Sequence, residues 1–253
     1  MQYLHTVDDS KFPDQFHSEL LAGPKTGFDN CYVRYTRVPV GAGGPPLHTH
    51  PADQLYYLLS GTMNIQLGTD RFVAERDTLI LIPEGTPHCN WNTGSVPEVH
   101  FEAIVPAPPM EGVVLPAKPQ EVPNASNLVR PLQRDGFKVS GGFSFQFLAD
   151  RATGSGRAAL HSDELQPGGG GPSLHIHGFD QFYFIIEGAM TFQIGLNQYR
   201  AAAHSLVIIP AGIVHRNWNE GPGLEKHITL LTPEPMPGEV WDPGVDVHWE
   251  KEA

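Results

Sequence analysis

Gly43-Gly44-Pro45-Pro46-Leu47-His48-Thr49-His50 returns later in the chain as Gly170-Gly171-Pro172-Ser173-Leu174-His175-Ile176-His177. A constant offset of 127 residues separates the two copies, from residue 48 to residue 175. The offset holds without insertion or deletion as far as the tripeptides Asn90-Trp91-Asn92 and Asn217-Trp218-Asn219. A match held over this length indicates two copies of one folding unit, with a period too long for a solenoid.

Each copy consists of short apolar runs separated by Gly, Pro, Asn and Asp. In the first copy these runs cover residues 54–59, 62–67, 78–82 and 99–105. Runs of this length between turn residues predict antiparallel strands, and such a set closes into a barrel or a double-sheet jelly roll. The sequence therefore predicts an all-β chain that contains two tandem barrels.

Proline-rich sequence separates the two copies. The segment between them contains Pro-Ala-Pro-Pro and Leu-Pro-Ala-Lys-Pro, and proline cannot donate a backbone hydrogen bond to a sheet. We predict an N-terminal domain at 1–105 with its motifs at 43–92, a linker at 106–127, and a C-terminal domain at 128–253 with its motifs at 170–219. A further Pro-rich segment from Pro233 onward is expected to pack over a neighbour or a barrel mouth.

The composition restricts the partners and the compartment. With 16 Lys and Arg against 28 Asp and Glu, the formal net charge is -12, which repels phosphate backbones and anionic lipids. We therefore expect no nucleic-acid partner and no membrane partner. The first ten residues lack the basic start and the apolar run of a signal peptide. The two cysteines, Cys31 and Cys89, are typical of a cytoplasmic protein among reduced thiols.

Four residues of metal-ligand type recur at the same spacing in each copy. Alternate residues of a strand face the same way, so His48 and His50 point together, and Gln54 follows further along. His88 comes after the turn of residues 83–87, whose Pro and Gly let the chain bend toward the first pair. The second copy repeats the set as His175, His177, Gln181 and His215. We predict a divalent transition metal in up to one site per domain, with Fe, Mn, Ni, Co, Cu and Zn all suited to these donors.

These motifs resemble those of the bicupins of the quercetin-dioxygenase-like type. The first motif of that family, in which a Glu usually follows His-x-His, covers residues 43–61 and 170–188. The second motif, Pro-x-Gly-x-x-His-x-x-x-Asn, covers residues 83–92 and 210–219. The resemblance implies two tandem cupin barrels (double-stranded β-helix, or jelly roll), each with a metal-binding site.

The chain departs from the family pattern at the usual Glu, which is Gln54 in one copy and Gln181 in the other. A neutral amide oxygen is a weaker donor than a carboxylate, cannot act as a general base, and leaves the ion with its full positive charge. We expect such a centre to favour an enolate, a phenolate or a carboxylate. The Gly that often opens the second motif is replaced by Asp77 and His204, which we interpret as a turn adjustment.

Two further pairs of residues are candidates for catalytic roles. Tyr56 and Tyr183 lie on the ligand face of the Gln strand and could bind substrate, although a role as aromatic core residues explains them equally well. His100 and His227 could supply the base that is missing from the ligand set, although an exposed polar face is the slightly favoured interpretation of these two histidines. That exposed face is the favoured interpretation of the glutamates beside them, Glu98, Glu102 and Glu225.

Three functions stay open. Resemblance to the quercetin-dioxygenase-like bicupins implies a metal-dependent dioxygenase or related oxidoreductase acting on an enolisable or phenolic molecule with O₂; the replaced Glu argues against flavonol cleavage and oxalate decarboxylation. Resemblance to single-domain cupins with a His-His-Gln-His set, which include polyketide-cyclase-like and uronate-processing proteins, implies a non-redox Lewis-acid cyclase, isomerase or lyase. The third function is non-catalytic binding of a metabolite. We favour the first.

The expected partner is a small organic substrate. Apolar barrel positions favour a hydrophobic molecule over a free sugar; they are Leu58, Met63, Ile65, Ile185, Met190 and Phe192. The outer sheet faces are also compatible with a homo-oligomer.

Overall fold

Short strands make up almost all the regular structure of the computed structural model, which describes residues 2–109 and 114–246. The first half contains β1 (Leu4–Thr6), β2 (His17–Ala22), β3 (Tyr32–Val38), β4 (His48–Thr49), β5 (Asp53–Ser60), β6 (Thr62–Leu67), β7 (Asp70–Glu75), β8 (Thr78–Ile82), β9 (His88–Trp91), β10 (Glu98–Val105) and β11 (Leu115–Pro116). The second half contains β12 (Val129–Pro131), β13 (Lys138–Ser140), β14 (Phe143–Ala149), β15 (Ala159–Leu165), β16 (Asp180–Glu187), β17 (Ala189–Ile194), β18 (Asn197–Ala202), β19 (Ser205–Ile209), β20 (His215–Trp218) and β21 (Glu225–Thr232).

Helical structure is limited, among the described residues, to 3₁₀ turns at Asp9–Lys11, Pro24–Thr26, Ala125–Leu128, Arg134–Gly136 and Arg151–Thr153. The all-β prediction is therefore confirmed. None of the helices in residues 2–109 and 114–246 has the length and apolar character needed to cross a membrane.

Each half consists of two sheets whose inner faces enclose a core. In the first half a six-stranded sheet, β12-β8-β5-β10-β3-β2, accompanies a five-stranded sheet, β11-β4-β9-β6-β7. The second half has a seven-stranded sheet, β1-β19-β16-β21-β15-β14-β13, and a three-stranded sheet, β18-β17-β20. Leu58 of β5 packs with Met63 and Ile65 of β6 inside the first barrel, and Ile185 packs with Met190 inside the second. This is the jelly-roll architecture expected of two cupin barrels.

The two halves exchange edge strands. Strand β1, at the start of the chain, pairs with β19 of the second half, with Leu4 opposite Val207. Strand β12, which follows the Pro-rich segment, pairs with β8 of the first half, with Val129 opposite Ile80. Each exchange covers a sheet edge that would otherwise expose unpaired backbone groups. The first strand of the chain therefore belongs, by hydrogen bonding, to the second barrel.

A shared core joins the large sheets of the two halves. Tyr35 and Phe101 each lie with their ring centroids 5.8 Å from that of Phe184, in the opposite half. Alternate residues of β10, such as Phe101, point into this shared core, whereas His100 and Glu102 point toward their own barrel. Both faces of β10 are consequently buried.

The expectation of an exposed polar face on the strand after the second motif is wrong. The glutamates and histidines there are buried, and the most exposed of them, Glu102, has 8% of its surface accessible. Strand alternation assigns residues to two faces, but it does not reveal that the second half of the chain covers one face and that a polar cavity lies against the other. The polar residues affected are Glu98, His100, Glu102, Glu225 and His227.

Residues with a left-handed backbone conformation lie in several of the turns between strands. Gly61, between β5 and β6, has a φ of 74°, and a Cβ atom there would lie 2.6 Å from the carbonyl oxygen of Pro97. Asp77 and His204, where the family often has Gly, have φ values of 63° and 64°. These two residues therefore adopt the backbone conformation that glycine adopts most easily, in keeping with a turn adjustment.

Candidate metal centres

Three histidine side chains of the first half converge inside the barrel. His48 on β4 lies directly opposite His88 at the start of β9, and their ring centroids are 4.2 Å apart. The Nε2 atoms of His48 and His50 are 3.1 Å apart. All three side chains are buried, and their ligand atoms lie within 4.8 Å of one another. The structure thus brings together the histidines of both motifs.

Backbone carbonyls fix the orientation of two of these rings. The Nδ1–H of His48 donates to the carbonyl of Pro46 at 2.8 Å, and that of His88 donates to the carbonyl of Thr86 at 2.9 Å. This tautomer leaves a lone pair on Nε2, the arrangement found in histidines that bind metals. Burial, together with the neighbouring charge of His48, lowers the pKa of His88 to about 3. The ring is therefore neutral and available as a ligand at physiological pH.

Gln54 on β5 is held beside this histidine group by a buried carboxylate. Its Nε2–H donates to Glu102 Oε1 at 2.6 Å, which fixes the orientation of the amide. The Oε1 atom of Gln54 and the Nε2 atom of His88 are both buried and have no hydrogen-bond partner among the described residues. Unsatisfied buried acceptors are costly, and a bound cation would satisfy both. The donor set therefore fits a metal ion.

The second half builds the same arrangement from His175, His177, His215 and Gln181. The ligand atoms of the three histidines lie within 4.8 Å of one another, and all three rings are buried. The Oε1 atom of Gln181 lies 2.8 Å from His177 Nε2 and 3.1 Å from His215 Nε2. The Nδ1–H of His215 donates to the carbonyl of Ile213 at 2.9 Å, and burial with the charge of His175 lowers its pKa to about 3. Each half can therefore hold one divalent transition-metal ion.

In the first half, the candidate catalytic residues Tyr56 and His100 lie side by side, with their ring centroids 4.5 Å apart. The Nδ1 atom of His100 is 2.8 Å from Glu98 Oε1 in a buried pair. Burial alone would lower the pKa of His100, but Glu98 and then Glu102 raise it above its usual value. Burial, followed by the charges of Glu102 and Glu98, raises the pKa of Tyr56 well above its usual value.

In the second half, Tyr183 and His227 are also neighbours, with ring centroids 5.5 Å apart. Carboxylates here face both ring nitrogens of His227: Glu225 Oε2 lies 2.9 Å from Nδ1, and Asp163 Oδ2 lies 3.3 Å from Nε2. Burial opposes protonation, but Glu225 and Asp163 raise the pKa of His227. Tyr183 likewise has a pKa well above its usual value, through burial and then the charge of Asp242.

Each half contains a buried carboxylate that accepts a hydrogen bond from a threonine hydroxyl, but the two partners lie on opposite strands in the two copies. In the first half Glu102 on β10 accepts from Thr36 Oγ1 at 3.3 Å, whereas in the second half Asp163 accepts from Thr229 Oγ1 at 2.8 Å. The sequence offset places Asp163 at the position of Thr36, and Thr229 at the position of Glu102. Our sequence reasoning missed Thr36 and Asp163, because it compared only identical pairs. A search for exchanged pairs at the same offset would have found them.

The cavities beside the two histidine groups differ in size and polarity. The first measures about 540 Å³, and its walls include Lys25, Arg34 and Glu102. Arg34 also donates to Ser18 Oγ at 2.7 Å. The second measures about 210 Å³ and has a largely aromatic wall formed by Phe143, Phe145, Phe147, Phe179, Tyr183 and Trp241. The first cavity therefore suits a polar or anionic molecule better than the second.

The apolar barrel positions do not form the walls of either cavity. Leu58, Met63 and Ile65 belong to the first barrel core, and the corresponding residues Ile185, Met190 and Phe192 belong to the second. The expectation that they select a hydrophobic substrate therefore has no support from their location. They fill the apolar interior of each barrel.

Comparisons with known proteins give consistent results. Residues 34–105 and residues 162–230 each match the family model described as "Cupin domain". An uncharacterized protein of Methanocaldococcus jannaschii is 31% identical over 93 residues, which cover 36% of this chain and 70% of that protein. Oxalate decarboxylase of Bacillus subtilis has a similar fold, with a TM-score of 0.73 and 14% identity over 93% of this chain and 78% of that chain. Its structure at pH 4.6 gives a TM-score of 0.72 at 14% identity, over 92% of this chain and 76% of that chain.

Proposed function

Because this chain belongs to the cupin family, with one such domain in each half, we propose that it is a metal-dependent dioxygenase acting on an enolisable or phenolic small molecule. The observation that carries this proposal is the carboxylate of Glu102, which holds the amide of Gln54 beside the histidine group and also faces a cavity of about 540 Å³. In the first half, a carboxylate that can accept a proton and a group of metal ligands therefore lie beside a cavity that can hold a substrate.

Three imidazoles and an amide oxygen would hold the ion in this half, through His48, His50, His88 and Gln54. An ion bound by neutral donors would supply Lewis acidity and, if it is redox-active, electron transfer to O₂. All of these donors are uncharged, so the site favours an oxygen anion as the next ligand. Arg34 and Lys25 in the cavity wall add positive charge that supports binding of an anionic substrate.

In this proposal Glu102 accepts the acidic proton of the substrate. Its carboxylate is fixed by Gln54 Nε2 at 2.6 Å and by Thr36 Oγ1 at 3.3 Å, so the oxygen atoms have a defined direction. His100, whose pKa is raised by Glu98 and then by Glu102, lines the same cavity and donates a hydrogen bond to a substrate oxygen. Tyr56, beside it in the cavity wall, donates a second. Dioxygenation places both atoms of O₂ in the product, so no external reductant is needed.

We assign the reaction to the first half, because its histidine is better placed for proton transfer. Both ring nitrogens of His227 face carboxylates, whereas the neighbouring carboxylate of His100 lies at Nδ1. The second cavity is also smaller, at about 210 Å³. In that half both ring nitrogens of His227 are already occupied by carboxylates, so Tyr183 and His227 have no catalytic role in this proposal.

A non-redox lyase, isomerase or cyclase is the second candidate. The observation that favours it is that Glu102 and His100 can move a proton without any oxidant. Oxalate decarboxylase of Bacillus subtilis, a protein with Mn(II) centres, has a similar fold, although at 14% identity. In this case the same residues would abstract a proton and return it to another atom of the substrate.

We also propose a cytoplasmic location and a small organic molecule as the main partner. Cys31 and Cys89 are both free thiols, which supports a reducing compartment. The net charge of -12 argues against nucleic acid. Association into a homo-oligomer through the outer sheet faces stays a prediction.

Metal identity and oxygen consumption test the proposal. The protein should be purified without a metal-affinity tag, analysed for its metals, and assayed for O₂ uptake with phenols and 1,3-diketones. We expect a redox-active metal and O₂ uptake that E102Q abolishes while metal content is unchanged. The matched control E75Q, at an exposed position of β7, should retain full activity. Zinc, with substrate conversion but no O₂ uptake, would support the second candidate. If the metal-loaded protein converts neither phenols nor 1,3-diketones, whether O₂ is present or absent, both candidate functions are contradicted.

A further inference from the structure

The C-terminal segment lies along the first histidine strand of the second half. The backbone N–H of Ile176 donates to the carbonyl of Pro243 at 3.2 Å, and the N–H of Val245 donates to the carbonyl of Leu174 at 3.0 Å. These two bonds hold residues 243–245 antiparallel to the segment that carries His175. The Pro-rich tail therefore packs at the barrel mouth, one of the two locations that the sequence suggested.

This pairing places a carboxylate next to a metal-ligand atom. Trp241 packs edge to face against Phe147, with the ring centroids 5.5 Å apart, and so fixes the start of the segment. The next residue, Asp242, has its Oδ1 atom 3.5 Å from the Nε2 atom of His175. Both residues line the second cavity with Gln181. Asp242 lies outside the compact group of three histidines, on the side that opens to the cavity.

The hydrogen bonding of His175 makes this contact informative. Its Nδ1–H donates to the carbonyl of Ser173 at 2.9 Å, so the neutral ring has a lone pair on Nε2. A carboxylate oxygen that faces a lone pair is an unfavourable contact unless a cation lies between the two acceptors. The pair therefore has the form of two ligands directed at one ion.

Among the described residues, an apolar side chain occupies the corresponding place in the first half. The N–H of Ala117 donates to the carbonyl of Leu47 at 3.1 Å, which matches the bond of Val245 to Leu174 in the second half. Counting back three residues from each donor gives Val114 in the first half and Asp242 in the second. Val114 lines the first cavity with an apolar side chain. At this matched position of two similar segments, the described residue is apolar in the first half and a carboxylate in the second.

We propose that Asp242 is a carboxylate ligand of the metal ion in the second centre. Three imidazoles, one amide oxygen and this carboxylate would then hold the ion, and Asp242 would occupy the cavity side of the centre, where a substrate would otherwise bind. Protein ligands close structural metal sites, whereas catalytic sites keep a position open. Five protein ligands assign a structural role to the second centre, and the first centre, with four, is the open one. This inference rests on the proposed metal centres and not on the proposed reaction.

Titration with Co²⁺ tests the proposal without any activity assay. H88A removes one of the four ligands of the first centre and should empty it, so Co²⁺ then reports on the second centre alone. In this background D242N should weaken Co²⁺ binding by about tenfold to a hundredfold, and should change the visible absorption of the bound ion because a ligand is lost. The matched control is D246N, which makes the same change of charge at an exposed residue four positions later. It should leave both the affinity and the spectrum unchanged.

The outcomes separate this proposal from the metal centres themselves. Unchanged Co²⁺ affinity and spectrum in D242N would overturn the role of Asp242 alone. Failure of the unsubstituted chain to bind Co²⁺ would overturn the metal centres and this proposal with them. If H88A does not fold, the same comparison of D242N with D246N in the chain with both centres intact should show weakening of one of two binding steps. Equal weakening in D246N would identify a general effect of charge and contradict a ligand role.

Discussion

Mild acid should destabilise the metal-free protein before its carboxylates titrate. Burial, with the charge of His48, lowers the pKa of His88 to about 3, and burial with the charge of His175 lowers that of His215 to about 3. Unfolding returns both rings to the ordinary value of 6.5. Between these two values the unfolded chain binds more protons than the folded chain. The free energy of unfolding therefore decreases as the pH falls below about 6.5.

The size of the effect follows from the two shifts. One pKa unit corresponds to about 1.4 kcal/mol, so each ring lowers the free energy of unfolding by about 2 kcal/mol near pH 5, and the two together by about 4 kcal/mol. His48 and His177, whose pKa values are also lowered by burial, add to this decrease. His100 and His227 have raised pKa values, so their stabilisation is complete below the unfolded pKa and is lost only as the pH rises through the folded value. They add no slope in this range.

Urea unfolding of chelator-treated protein, followed by tryptophan fluorescence near pH 6.5 and near pH 5, measures the effect. The matched control replaces both rings with a side chain that does not titrate, as H88Q with H215Q. This double variant should lose most of the pH dependence. An unfolding free energy that is the same at both pH values in the unsubstituted chain would refute the reasoning. So would a double variant that keeps the full decrease.

H88A should remove metal from the first centre alone, as measured by elemental analysis; a chain that retains metal in both centres would show that His88 is not a ligand. Q181E should tighten metal binding in the second centre, because a carboxylate is a stronger donor than an amide and Thr229 replaces Glu102 there, so the like charge of Glu102 does not oppose the change; unchanged affinity in a chelator competition would show that Gln181 does not bind the ion. G61A should destabilise the fold by about 1–3 kcal/mol, since its φ is 74° and its Cβ would contact the carbonyl of Pro97. The control G41A shares a positive φ, 79°, but has no atom within 4 Å, so urea unfolding should show a smaller loss. Equal losses would rule out a contribution from the close approach.

Local pattern was sufficient for the fold class and for the grouping of the histidines. Alternation along a strand places His48 and His50 on one side, and a Pro-Gly turn brings His88 back to them. Both effects act over a few neighbouring residues, so they can be predicted from the sequence. Because the repeat has a constant offset, each prediction made for the first copy applies also to the second copy. This is why an all-β fold of two cupin barrels could be predicted, and why the structure brings each histidine group together.

Long-range contacts set the surroundings of those groups, and the sequence did not reveal them. The buried state of Glu98 and His100 depends on the closure of their own barrel, which encloses a strand face that alternation alone leaves exposed. The pairing of β1 with the second half depends on which sheet edge is open after both barrels have closed. Neither property is encoded within a window of neighbouring residues.

The sequence by itself determined the two barrels and the residue types that face each metal-binding position, because strand alternation and turn chemistry act over a few residues. Only the tertiary structure decided which carboxylates lie beside those positions. Glu102 reaches Gln54 across β5 and β10, and Asp163 reaches His227 across β15 and β21. Asp242 comes from a tail beyond the last strand of the barrel. Sheet pairing and tail packing bring these groups together over long stretches of chain, and electrostatics at each centre follows from that three-dimensional arrangement.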